Sequence, residues 1–91
     1  NVQRVRAWTL TCDSRLEQAA AIYEQLMTGE KVIAEDHLNY GYCLWVMGRI
    51  DDAAEHFRKS NNPIDFPDIY WLSKRGIDKL QIRMMKTLIR S

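Results

Sequence analysis

The chain reads as an all-α protein assembled from repeated helical hairpins, and three observations point there. The first is composition: Ala, Leu, Ile, Met, Arg and Lys are plentiful, while four Gly and two Pro punctuate 91 residues. That balance favours helix over strand. The second is a match of the chain to itself at a spacing of 34 residues. The third is a series of cap and stop residues at the ends of the apolar-periodic stretches. Together they predict about six helices in three antiparallel pairs.

The self-match is specific. Displaced by 34, Ala7 falls on Gly41, Trp8 on Tyr42, Leu10 on Leu44 and Ser14 on Gly48; Leu16 falls on Ile50, Ala19 on Ala53 and Tyr23 on Phe57. Small residues meet small ones and aromatics meet aromatics in fixed order. A period of this length marks a repeat architecture, because a single hairpin cannot bury its own apolar face and stacks on its neighbour.

Each element has its own signals. Helix one runs over about 2–12 and breaks near Asp13-Ser14. Ser14 and Glu17 have capping-box spacing and open helix two, which closes at Gly29. Helix three spans about Ala34 to Met47 and stops at Gly48. Helix four begins near Asp51-Asp52, with acids at its positive end, and finishes at Arg58-Lys59, with bases at its negative end. Ser60-Asn61-Asn62-Pro63 forms the next turn. After residue 65 the 34-residue register lapses, although the helical pattern continues. Asp65 with Pro67 opens a short helix that Gly76 ends, and Asp78 caps a last helix reaching Ser91. The apolar side of that last helix is expected to hold Ile77, Leu80, Met84, Met85 and Leu88, with Ile82 and Ile89 at its edges.

The stretch Tyr40-Gly41-Tyr42-Cys43-Leu44-Trp45-Val46-Met47-Gly48-Arg49-Ile50-Asp51-Asp52-Ala53-Ala54-Glu55-His56-Phe57 resembles a tetratricopeptide repeat. Gly41, Leu44, Gly48, Ile50, Ala53 and Phe57 fill that family's pattern of small residue, large residue, turn glycine, large apolar residue, alanine and aromatic. Ala7, Leu10, Ser14, Leu16, Ala19 and Tyr23 fill it in the earlier copy. The departures are Ser14 at the turn glycine and His37 where the family often has Trp. The resemblance covers residues 1–60 and implies a right-handed solenoid in one domain over 1–91. Repeat one occupies 1–33, repeat two 34–64, and a divergent helix pair 65–91. Ala19 is expected against Ala7, and Ala53 against Gly41. The end of the chain, with Tyr70-Trp71-Leu72 and then Gly76-Ile77-Asp78, is similar to the ending of certain bacterial tetratricopeptide proteins. Without an initiator Met, and with Asn1 already in a helical pattern, the chain is expected to be part of a longer one.

The resemblance implies a protein–protein interaction scaffold that takes a peptide or helical segment in a concave groove, and not an enzyme. Residues 37, 40, 41 and 44 face the partner helix, while Leu38, Tyr42, Trp45 and Val46 occupy the face that lines the groove in the family. Trp8 and Thr11 are their equivalents one repeat earlier. Partly exposed aromatics there would supply large contact area at small entropy cost. The same spacing also suits aromatics that pack against one another or against neighbouring segments. Where the family's carboxylate-clamping members place Lys and Asn, this chain has Leu38 and Tyr42, and Arg4 and Trp8 one repeat back. Only Arg4 suits such a clamp, so that ligand class is not expected. The alternative role is structural: capping or oligomerising a longer solenoid through the last helix.

Charge is unevenly distributed. Residues 1–73 carry a net −4 and residues 74–91 a net +5. On the last helix Lys79, Arg83, Lys86 and Arg90 make one narrow stripe. It is either a solvated face or a surface for an acidic partner, nucleic acid or anionic lipid. No aromatic interleaves it, so nucleic acid is not the expected partner, and neither is a membrane.

Chemistry has little foothold. His37 and His56 fall on different helices and are expected at a packing seam or the surface. Asp51, Asp52 and Glu55 read as helix N-terminal acids. No Gly-rich phosphate loop, zinc-binding H-E-x-x-H or nucleophile-elbow motif occurs, so no cofactor or metal is expected. Cys12 and Cys43 match no zinc or redox spacing. They read as two free thiols, one or both buried, with a disulfide between them as the alternative; free thiols lean toward a reducing, cytoplasmic setting. No apolar run reaches the roughly 18 residues of a membrane span.

Overall fold

The computed structural model describes residues 2–60 and 66–90, with backbone only at 66–68. These form α1 (Val2–Cys12), α2 (Leu16–Met27), α3 (Ala34–Val46), α4 (Ile50–Ser60), α5 (Phe66–Ser73) and α6 (Lys79–Arg90). Among the described residues there is no strand. The expected bounds of α1, α3 and α4 hold to within a residue, whereas α2 ends two residues short of Gly29. Asn61, Asn62, Pro63 and Asp65, expected in the turn and at the start of α5, lie outside the described residues. Pro67 occupies the first turn of α5, where a missing N–H leaves no helical bond unmade.

Three turns share one geometry. Ser14, Gly48 and Gly76 all have positive φ, of 63°, 89° and 83°. In each turn the next residue's N–H reaches back to a leucine carbonyl: Arg15 to Leu10 at 2.9 Å, Arg49 to Leu44 at 2.9 Å, and Ile77 to Leu72 at 3.2 Å. A second bond closes each one, from Ser14 to Thr11, Gly48 to Trp45 and Gly76 to Ser73. This is the Schellman arrangement, and it needs a left-handed residue at its centre. Ser14 therefore does not cap α2. Arg15 takes that position without a side-chain hydrogen bond, because Ser14 is spent on the turn that Gly48 makes in the second hairpin. Without glycine's freedom, that conformation costs about 1–2 kcal/mol.

The same turns define the register beyond residue 65. The left-handed residues stand 34 apart and then 28 apart. In the shorter register Leu72 matches Leu10 and Leu44, and Met85 matches Tyr23 and Phe57. Tyr23, Leu44, Phe57, Leu72 and Met85 are all fully buried. Asp78 and Gln81 open α6 with a reciprocal cap: the Gln81 N–H donates to Asp78 Oδ1 at 2.8 Å, and the Asp78 N–H to Gln81 Oε1 at 2.9 Å.

α3 is the central element, packed against α4, α2 and α1. Residues 40–45 are all buried, more than a full turn enclosed on every side. Gly41 permits this: a Cβ there would lie 2.7 Å from Cε1 of Phe57. Ala7, Ala19 and Ala53 are completely buried as expected of the small positions, but the contact that demands smallness at Gly41 is with the Phe57 ring. α4 in turn packs on α6.

The buried side of α6 differs from the expected one. Ile77 and Met85 are buried and Leu88 packs against the core as expected, but Leu80 and Met84 are 60% and 59% exposed while Ile82, expected at the edge, is buried. The buried stripe is thus shifted away from Leu80 and Met84 toward Ile82. This seats Ile82 in the core with Met85, and Arg58 donates from α4 to the Leu88 carbonyl at 2.6 Å.

Candidate functional site

Of the six expected groove residues, three are closed off. Tyr42 is 2% exposed and Trp45 3%. Thr11 is fully buried, its hydroxyl donating to the Ala7 carbonyl at 2.9 Å. Trp8, Leu38 and Val46 are half-buried. The partly exposed aromatic face predicted for Tyr42 and Trp45 is therefore corrected, for two physical reasons. Trp45 stands edge-on to Phe57 of α4, with ring centroids 6.0 Å apart, so it belongs to the α3–α4 seam. Tyr42 is covered from the other side by Trp71 of α5, 5.8 Å away.

Trp71 is the residue that fills the expected groove. Its ring stacks on Trp8 at 5.4 Å, and the Arg75 guanidinium lies over it at 3.8 Å. Arg75 also donates to the Trp71 carbonyl at 3.0 Å and to the Cys12 carbonyl at 3.1 Å, the end of α1. Stacking and cation–π contacts of this kind contribute roughly 0.5–1.5 kcal/mol each. Sequence reasoning had no means of pairing Trp71 with Trp8, because the two do not share the 34-residue register.

A shallow groove of about 460 Å³ remains between α1 and α3, lined by Arg4, Val5, Trp8, Thr9, Glu35 and Asn39. One end is fixed by ion pairing. Arg4 donates through Nε and Nη2 to both carboxylate oxygens of Asp36, the Nη2 bond measuring 2.9 Å, and Nη2 also reaches the Lys31 carbonyl. Asp36 is completely buried as a side chain and accepts the Ile33 N–H at 3.1 Å, satisfying the start of α3. Burial pushes its carboxyl up, but the Arg4 guanidinium and the Ile33 amide outweigh that and hold it below its ordinary value. Arg4 is thus committed to the α1–α3 junction.

His37 and His56, expected separately at seams or the surface, meet. Their Nδ1 atoms are 3.0 Å apart and their ring centroids 5.2 Å. The two Nδ1 atoms are within hydrogen-bonding distance, and which ring donates depends on its tautomer. Tyr40 lies 4.6 Å from the His56 ring. Burial, with Lys59 close by, lowers both imidazoles below their ordinary value, and His37 lowers His56 further. Among the described residues no three His, Cys, Asp or Glu side chains gather in a way that would hold a metal ion.

The remaining expected residues are surface features. Lys79, Arg83 and Arg90 are exposed and Lys86 is half-buried. Both thiols are free, Cys12 exposed and Cys43 buried. Burial pushes the Cys43 thiol up, and its Sγ donates to the Leu16 carbonyl at 3.5 Å. No helix of the described residues is long and apolar enough to cross a membrane. Searched against known proteins, the chain matches no family model, no curated protein and no solved structure.

Proposed function

We propose that this chain is a tetratricopeptide-like scaffold, a right-handed stack of helical hairpins that binds a peptide or helical segment of a protein partner and catalyses nothing. The repeated turn at Ser14 and Gly48, and the fit of Gly41 beneath Phe57, support the family reading. The groove between α1 and α3 is the binding surface. The observation that carries this assignment is Val5, 66% exposed beside the half-buried Trp8, with Asn39 and Glu35 lining the same groove. Val5 and Trp8 offer an apolar contact and the polar side chains around them hydrogen-bond partners, a combination that suits a peptide. The test is to select displayed peptides on the wild-type chain and then retest them on Val5→Asp. Loss of binding, with an unchanged melting curve, supports the groove. Peptides that bind the variant as well as the wild type remove it.

A second reading, self-association or capping of a longer array through α6, draws on the exposed Leu80 and Met84. Light scattering over a dilution series separates the two, since a stable dimer that Leu80→Lys dissociates belongs to the second.

A further inference from the structure

α6 carries a charge pattern unlike the other helices. α4 sets Lys59 beside Glu55, and Arg49 at its start pairs with Asp52. α6 contains four cations and no acid between Lys79 and Arg90. Lys79, Arg83, Lys86 and Arg90 lie on one stripe at spacings of four, three and four. Among the described residues none of their side chains forms an ion pair or hydrogen bond; Arg83 takes part only through its carbonyl, which accepts from Thr87. Like charges at these spacings repel along a helix, and nothing in the described chain offsets that repulsion. The acid that precedes the stripe in sequence, Asp78, accepts the Gln81 N–H.

A second feature adjoins the first. Between α5 and α6 lies a depression of about 550 Å³ lined mainly by Ile69, Tyr70, Ile77 and Ile82, with Ser73, Gly76, Asp78 and Lys79 completing its wall. Tyr70 is 60% exposed. The stripe therefore begins where an apolar depression ends.

From this juxtaposition we infer that the α5–α6 end docks an acidic protein segment with an apolar anchor. The anchor side chain enters the depression beside Tyr70, and carboxylates track Lys79, Arg83, Lys86 and Arg90 along α6. The stripe spans about 16 Å at the helical rise, which matches the acidic face of about three turns of a partner helix. A phosphate polymer would meet the charges and leave the depression without an occupant. A segment joining leucine or an aromatic to a run of Glu meets both. This surface is separate from the α1–α3 groove, so the two assignments stand or fall independently.

The test is fluorescence anisotropy of the full chain with a fluorescein-labelled helical peptide bearing Leu in its first turn and Glu along one face. Saturable binding is expected, weakening as salt rises. Lys79→Glu with Arg83→Glu should weaken it at least about tenfold, and Tyr70→Ser should weaken it measurably. Arg6→Glu with Arg15→Glu changes net charge equally at exposed positions elsewhere and should leave binding unchanged. If circular dichroism shows the first pair unfolded, Lys79→Gln with Arg83→Gln replaces it, with an expected loss of about threefold. Absence of binding, equal loss in both charge-reversed pairs, or tighter retention on phosphatidylserine vesicles than on the peptide would overturn the inference. So would a dimer in light scattering that the Lys79/Arg83 reversal dissociates.

Discussion

Replacing Trp45 with Ala tests the central packing of α3. Trp45 is 3% exposed and lies edge-on to Phe57, itself fully buried. Truncating an enclosed large aromatic to Ala costs about 3–5 kcal/mol, from lost transfer energy and the cavity left behind. At about 0.05–0.15 kcal/mol per residue, a chain of this length has roughly 5–14 kcal/mol of total stability. The variant should therefore lose a large part of that stability, and nearly all of it at the lower end of the range. For a domain of this size each kcal/mol moves Tm by about 4–8 °C, so Tm should fall by about 12–40 °C. Urea unfolding followed by far-ultraviolet circular dichroism measures it, with an unchanged m value showing that the denatured state has not changed. Trp45→Phe, which keeps a ring edge against Phe57, should lose about 1–2 kcal/mol. A loss below about 1 kcal/mol for the Ala variant would refute the reasoning. It would mean that Trp45 faces solvent, as its helical spacing from Leu38 and Tyr42 suggests.

Three more outcomes are expected. Gly41→Ala brings a Cβ to 2.7 Å from the Phe57 ring, which Tyr42 and Trp45 hold in place. It should destabilise by about 1–3 kcal/mol despite alanine's better helix propensity, and Phe57→Leu in the same chain should recover part of the loss; a more stable Gly41→Ala would contradict the packing. The His37–His56 pair makes stability depend on pH. Both imidazoles are lowered in the fold, so the unfolded chain takes up protons first; stability should be level above neutrality and fall as pH drops through about 6.5, levelling once the folded pair also protonates. His37→Gln should flatten that slope in urea midpoints taken across the range, and an unchanged slope would remove the pair as its cause. With a thiol reagent under native conditions, exposed Cys12 should label at once and buried Cys43 only as the chain opens; equal native rates would show that Cys43 is accessible.

Much of the fold was legible in the residues. Helix-favouring composition, the 34-residue match and the turn residues located five of the six helices to within two residues at their described ends. They also anticipated Ala7, Ala19, Gly41 and Ala53 as closely packed positions. Periodicity settled these because each depends on neighbours three or four residues away, or on a turn's own backbone. The candidate site was less legible. The spacing of Leu38, Tyr42 and Trp45 separates one face of α3 from another but does not tell which neighbour covers each face. α6 has apolar residues around most of its circumference, so its pattern alone cannot say whether Leu80 and Met84 or Ile82 join Met85 and Leu88 at the core.

The sequence by itself determined that the chain is helical, where its hairpins turn, and that a basic stripe marks its last helix. Only the tertiary structure decided that Trp71 stacks on Trp8, that His37 of α3 meets His56 of α4, and that α6 turns Leu80 and Met84 outward. The physical reason is range. Local signals act through backbone hydrogen bonds within a few residues, whereas these contacts join elements 19 and 63 residues apart. Trp71, outside the 34-residue register, lies against Trp8 and Tyr42 and covers the face that the repeat alone would leave open.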